Sequence, residues 1–321
     1  MRIVFFGLPL AAVLLHGDGH DVALASVSRT DAPGLRRLRR LLGTERVRSR
    51  PAVEDRGFIA EVRALSPDLL VSWFWTTRLP MRLVRAARLG GLGVHPSLLP
   101  RHRGPDPTYW AIRCGDQETG VTAHRIAADY DTGAILDQER LRIDPTWNAW
   151  QLARALDRPS LRLLRATVAR FAREGDVPAR EQDDSLATRA PFPEEEDLWI
   201  EWSRPTEEVL AQVRSLAPAP GAVTEIAGHL VTVLRARASD RWPRILAPGE
   251  GVLLDGLPVV RTGDGAVVLL EGRVEGLLPS HEAEGLPSRT GEPEAARPET
   301  PAESSPALSS LFLPVPTLVV G

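Results

Sequence analysis

Lysine is missing from this chain: all 39 basic residues are arginine, set against 42 acidic ones for a formal net charge of −3. So uniform a preference reads as a GC-rich coding sequence before it reads as chemistry. A balance this close to neutral exerts no overall pull towards nucleic acid or membrane. Cysteine is nearly missing too. Cys114 stands alone, which excludes an internal disulfide framework and suits a reducing, cytoplasmic compartment. No apolar run is long enough to span a bilayer. The opening Met1-Arg2-Ile3-Val4-Phe5-Phe6-Gly7 turns apolar at once and runs into a strand–turn pattern, so no secretory leader is expected. After that first strand there is no GxGxxG. Only Gly7 holds the turn, which argues against NAD or FAD.

What is present is a globular composition, 43% hydrophobic and 25% charged, over 321 residues, enough for two domains. Strand-like runs at 2–6, 20–28, 68–74 and 92–95 alternate with helical ones at 10–16, 35–42, 58–65 and 81–88. That alternation argues a doubly wound α/β domain. Strands are expected again at 121–126 and 134–143, then a long helix over 147–174, broken near Pro159. Residues 177–196 are polar and proline-bearing and read as an extended linker. Helix resumes over 199–216. Short strands at 222–226, 229–235, 251–255, 258–261 and 266–270, separated by glycine turns, argue a small antiparallel barrel. Residues 277–321 are rich in Pro, Glu and Ser and read as disordered, with an apolar end over 311–320 suited to docking on the body or on a partner.

One stretch carries chemistry. His95 sits where the apolar run Leu92-Gly93-Val94 gives way to Pro96-Ser97-Leu98-Leu99-Pro100-Arg101, a loop stiffened by its prolines. Asp131 follows 36 positions later (131 minus 95), in Asp129-Tyr130-Asp131-Thr132-Gly133. An imidazole held by a carboxylate is a device for moving protons near neutral pH. A lone pair of this kind is more often a buried histidine and a turn aspartate. Arginines from Arg36 to Arg50 line one face of a helix whose leucines line the other. That is either a solvated face or a seat for a phosphate-bearing substrate.

The blocks HPSLLPRHRG (95–104), GDQETGVTAHRI (115–126) and DYDTGAIL (129–136), in this order and spacing, resemble the signature of the folate-dependent formyltransferases. Met1 to Pro9, Ser66 to Val71, Trp202 to Glu208 and Ala219 to Ala222 extend the resemblance over about residues 1–276. It implies a Rossmann-like formyltransferase domain over 1–180, a linker over 181–197, an OB-like β-barrel domain over 198–276 and a tail over 277–321. It implies His95 and Asp131 as catalytic residues and 10-formyltetrahydrofolate as formyl donor, with no metal. Ser97, Leu98, Leu99, Pro100, Trp75, Leu79, Asp129, Thr132 and Gly133 would line the donor and substrate site. The family carries Asn-x-His, its Asn expected to hold the formyl oxygen. Here that position is Gly93. Losing such a donor costs on the order of 10²–10³ in rate. His95 itself, a backbone N–H near Ser97 and Leu98, or a water in the space left by Gly93 could replace it. Otherwise Gly93 makes room for different acyl chemistry, or the fold persists as a binding or scaffold protein. The acidic balance and short arginine segment point to a small-molecule amine, for instance in secondary metabolism, as acceptor. Transfer RNA is a further fit and a membrane partner is not.

Overall fold

β1 (Arg2–Gly7) is apolar along its whole length because both of its faces are covered. Ile3 and Phe5 enter one core cluster, Val4 and Phe6 another, and all four are fully buried. In this computed structural model, residues 1–226 and 228–277 are described. The chain divides into two compact units, Met1–Glu194 and Glu195–Gly321.

In the first unit α1 (Pro9–Gly17) leads to β2 (Asp21–Val27), α2 (Leu35–Leu42), β3 (Val47–Ser49), α3 (Arg56–Ala64) and β4 (Leu69–Trp73). α4 (Met81–Val84), β5 (Gly91–His95), α5 (Pro107–Arg113), β6 (Glu118–Arg125), β7 (Ile135–Arg142) and α6 (Ala149–Glu174) complete it. The sheet order is β3-β2-β1-β4-β5-β6-β7. β1 to β5 pair in parallel, while β6 and β7 return antiparallel. One face is covered by α1, α2 and α6, and the other by α3 and α4. This is the doubly wound α/β architecture that the alternation predicts, each fully buried aliphatic or aromatic side chain stabilising it by about 1.5–3 kcal/mol. Ligands in such sheets collect at the carboxyl ends of the strands, where β4 and β5 end in Trp73 and His95.

Three local expectations in this unit need correction. α6 continues unbroken through Pro159 because Leu152, Leu156, Leu163, Leu164, Val168 and Phe171 hold it against the sheet on both sides of that residue. α4 closes after one turn, and Leu89 N–H bonds to the Asp68 carbonyl instead of continuing the helix. Residues 181–194, expected as linker, belong to the first unit. Arg180 pairs with Ile135 through both backbone groups (2.7 and 2.8 Å), and Ala190 N–H bonds to the Arg103 carbonyl at 2.7 Å. The arginine-bearing α2 buries Leu35, Leu38 and Leu42 and exposes Arg36, Arg37 and Arg40. Beyond it, Arg46 and Arg48 are bound to Asp21 and Glu61. Arg36, Arg37 and Arg40 thus form the solvated face, one of the two readings of this segment.

The second unit holds α7 (Glu195–Leu198), α8 (Thr206–Leu216), β8 (Ala222–Ile226), β9 (His229–Ala238), β10 (Gly251–Leu254), β11 (Leu257–Arg261) and β12 (Ala266–Leu277). Its helix starts at Thr206 rather than 199, after Pro205, because Ile200 N–H bonds to the Val223 carbonyl and Arg204 N–H closes a turn on the Glu201 carbonyl. The five strands form an antiparallel sheet in the order β10-β11-β12-β9-β8, with β10 and β8 as its edges. The expected tail, including its apolar end, lies outside the described residues. Among the described residues no helix is long and apolar enough to cross a membrane.

Asp106 caps α5, its side chain accepting from Tyr109 N–H at 3.2 Å and from the Thr108 hydroxyl at 3.3 Å. Burial pushes its carboxyl up to about 6. The folded chain therefore holds this proton more tightly than the unfolded chain does. Its contribution to stability is full below the ordinary carboxylate range and is lost as pH rises through about 6. Asp106→Asn keeps the cap and removes the titration. Urea denaturation is expected to show a flatter stability profile across that window and a gain on the order of 2 kcal/mol at pH 7.

Candidate active site

β5 ends on His95, a side chain only 7% exposed. Its Nε2 lies 2.8 Å from the His102 carbonyl. A carbonyl only accepts, so Nε2 carries a proton and Nδ1 is the nitrogen left for chemistry. Nδ1 lies 3.4 Å from Asp131 Oδ2, an ion-pair distance longer than a tight charge-assisted hydrogen bond. The carboxylate is held from elsewhere. Gly104 N–H donates to Asp131 Oδ2 at 3.0 Å, and the Gln182 amide donates to the carbonyls of Asp131 and Gly133, both at 2.7 Å. Asp131 sits at φ 57°, the left-handed region that aspartate tolerates better than most residues. Gly133 permits the turn, since a Cβ there would stand 1.8 Å from the Arg125 carbonyl oxygen.

The loop after His95 is stapled to β6 and β7. Thr122 Oγ donates to the Ser97 carbonyl at 2.6 Å and accepts from Leu99 N–H at 3.0 Å. Gln138 donates to both Thr122 Oγ and the Leu99 carbonyl at 2.9 Å. His102, at φ 59°, binds Asp116 through Nε2 at 2.7 Å and anchors its own N–H on Thr188 Oγ. These contacts aim the His102 carbonyl at His95. Hydrogen bonds from His102 and Arg101 outweigh burial and hold the Asp116 carboxyl below its ordinary range.

The expected site residues divide. His95, Asp131, Gly93 and the turn of Thr132 and Gly133 come together. Ser97 is buried with its hydroxyl spent on the Arg101 carbonyl, and Leu99 is buried, so both shape the loop. Pro100 accepts from Thr188 N–H, and Leu98 borders a cavity of about 240 Å³ lined also by Arg101, His102, Asp116, Gln117, Glu118 and Thr119. Leu79 is a core residue among Val53, Phe58 and Leu83. Asp129 is exposed and offers its carbonyl to Thr132. Of the aromatic cluster, Trp73 is core and bonds to Ser160, Phe74 is exposed, and Trp75 packs edge-on against Phe6.

The space expected at Gly93 is bordered by an imidazole. His124 lies opposite it in the β5–β6 pairing, and a Cβ on residue 93 would come within 3.0 Å of His124 Nε2. Sequence reading missed His124, Thr122, Gln138 and Gln182. The first three stand on alternate positions of predicted strands, a signal that marks a face without saying what it faces. Gln182 lay in the supposed linker. Among the described residues no group of His, Cys, Asp or Glu is arranged to hold a metal ion.

Residues 23–168 match the formyl transferase family, and residues 194–281 match the formyl transferase C-terminal domain. Methionyl-tRNA formyltransferase of Synechococcus sp. (strain JA-3-3Ab) is 30% identical over 304 residues, covering 86% of this chain and 92% of that protein. Two solved structures share the fold. The N-formyltransferase from Helicobacter canadensis, in complex with folinic acid and dTDP-3-aminofucose, superposes with a TM-score of 0.64 at 15% identity, covering 84% of this chain and 98% of that one. HypX from Aquifex aeolicus, in complex with tetrahydrofolic acid, gives 0.61 at 22% identity over 86% of this chain and 44% of that one.

Thr122→Val keeps the shape of a fully buried side chain but leaves Leu99 N–H without its partner. A loss of about 1–3 kcal/mol is expected by chemical denaturation. Faster hydrogen exchange at Leu99 N–H would accompany it, and unchanged exchange would dismiss the staple.

Proposed function

We propose that this chain, which belongs to the formyl transferase family, moves a formyl group from 10-formyltetrahydrofolate to the amine of a small molecule. The observation that carries this reading is His95 between two acceptors, the His102 carbonyl at Nε2 and Asp131 Oδ2 at Nδ1. A proton arriving at Nδ1 turns a lone pair facing a carboxylate into an ion pair. His95 is thus placed to hold the proton that an attacking amine gives up, and Asp131 to balance the charge. Such a base contributes about 10²–10⁴ in rate.

Folate in two fold neighbours supports the donor. So does Trp75, whose indole N–H is buried with no partner past the end of β4. A carbonyl or ring nitrogen of a bound pterin would satisfy that N–H. The donor supplies an electrophilic formyl carbon when bound. The chain's own residues supply the rigid loop and the base.

A small-molecule acceptor is supported by the net charge of −3 and by the internal pairing of Arg46 and Arg48. A second reading, methionyl-tRNA, is favoured by a relative matched over 92% of its length and by the C-terminal domain match. Incubation with 10-formyltetrahydrofolate and a panel of nucleotide amino sugars, amino acids and methionyl-tRNA, read by mass, separates the two. Formylation of none of them would overturn formyl transfer. His95→Ala is expected to lose roughly 10²–10⁴ in kcat while binding of a tetrahydrofolate analogue by calorimetry is retained. Unchanged turnover would remove His95 as the proton carrier.

A further inference from the structure

Gly93 has ordinary strand backbone, so its lack of a side chain serves a neighbour rather than a turn. That neighbour is the His124 ring. A Cβ on residue 93 would stand 3.0 Å from Nε2 and 3.1 Å from Cε1, so a side chain there would press on the imidazole. His124 commits Nδ1 to the Arg125 carbonyl at 2.9 Å, which makes Nδ1 the protonated nitrogen. Its Nε2 then faces Asp131 Oδ1 at 3.6 Å, while His95 Nδ1 faces Oδ2. Two imidazoles, each with one N–H spent on a carbonyl, thus turn their remaining nitrogens towards one carboxylate. With both rings neutral, two lone pairs oppose that carboxylate. One added proton relieves one of these oppositions and ties the three groups together.

We infer that His124 is a second proton-handling residue of this site, a positioning partner coupled to His95 through Asp131 and seated in the volume left by Gly93. The inference rests on the formyl-transfer reading for its role in turnover, though not for the coupling itself. In the reaction a C–N bond to the acceptor forms and the C–N bond to the donor nitrogen breaks. The acceptor amine loses one proton to His95 Nδ1, and the donor nitrogen takes one back, so protons balance without an oxidant. Between those events the charge is shared along His95, Asp131 and His124, and His124 forms no bond to carbon.

The surroundings agree. Burial pushes His124 below the usual imidazole range, and the charge of Asp131 works against that push. The other titratable group facing it is His95, from β5. Arg125, next on β6, is turned away to Asp176 and the Leu89 carbonyl. β7 places Ile135 opposite His124, and Asp137 on that strand pairs with Ala123. α6 covers the other face of β6, over Val121 and Ala123. From the segment after α6 the contact to Asp131 is the uncharged Gln182.

The test is a pH titration of the full chain labelled with ¹⁵N-histidine, followed by NMR. The His95 and His124 rings are expected to share their inflections, as interacting sites do, and Asp131→Asn should shift both. A single independent inflection for His124, untouched by Asp131→Asn, would overturn the inference. Kinetics then use 10-formyltetrahydrofolate with methionyl-tRNA and with a nucleotide amino sugar. His124→Gln, checked for folding by thermal melting, is expected to lose about tenfold or more in kcat, with KM for the donor within about threefold, and to lose one limb of the pH–rate profile. Gly93→Asn alone should lose at least about tenfold by clashing with the ring, and adding His124→Ala should recover much of it, as contacting sites couple. A His124→Gln enzyme with wild-type kcat and pH profile would sink the proposal while leaving formyl transfer standing. Absence of transfer in the wild type, with coupled inflections intact, would do the reverse.

Discussion

Everything at this site depends on backbone carbonyls that decide which imidazole nitrogens carry protons. The His102 carbonyl claims Nε2 of His95, and the Arg125 carbonyl claims Nδ1 of His124. Each ring is left with one nitrogen, and both of these face Asp131. Tautomers are otherwise nearly free to exchange, so fixing them needs acceptors that cannot donate and cannot move. That is the reason for the rigid loop. Thr122 and Gln138 hold Ser97 and Leu99, while Asp116 and Thr188 hold His102. The His102 carbonyl is placed by these hydrogen bonds rather than by its residue's own preference, which at φ 59° lies outside the common regions.

The sheet topology makes this arrangement reachable. β5 is the last strand of the parallel set, and β6 returns antiparallel beside it. An antiparallel neighbour puts a specific residue directly opposite each residue of β5, so His124 meets Gly93 and Thr122 meets His95. Moving the pairing by one residue would turn Val121 and Ala123 outward from the α6 core and His124 into it. Burial of the apolar alternates thereby fixes the register, and the register fixes which side chains meet across β5 and β6.

The carboxylate is held by the part of the chain that reads least like structure. Residues 177–194 are polar and proline-bearing, yet Arg180 extends the pairing at the start of β7, and Gln182 fastens both carbonyls of the Asp131 turn while its own carbonyl accepts from Arg103. Such a segment contributes through backbone pairing at Arg180 and through the single side-chain amide of Gln182, neither of which leaves a periodic pattern in the sequence. Its role in the site was therefore invisible until the fold brought it alongside the loop.

Periodicity and punctuation were enough to place the alternation of strands and helices, the return of β6 and β7 and the second β unit, whereas the pairing of His95 with Asp131 rested on the motif resemblance. Those elements depend on burial patterns and turn residues that act over a few positions. The continuity of α6 through Pro159, the brevity of α4 and the occupant of the space beside Gly93 were decided only in three dimensions. A helix survives a proline when its flanks are buried on a sheet, and no local signal reports that. An empty position in a motif says that a side chain is gone. Which neighbouring ring enters the volume depends on cross-strand register, a long-range quantity set by the whole core.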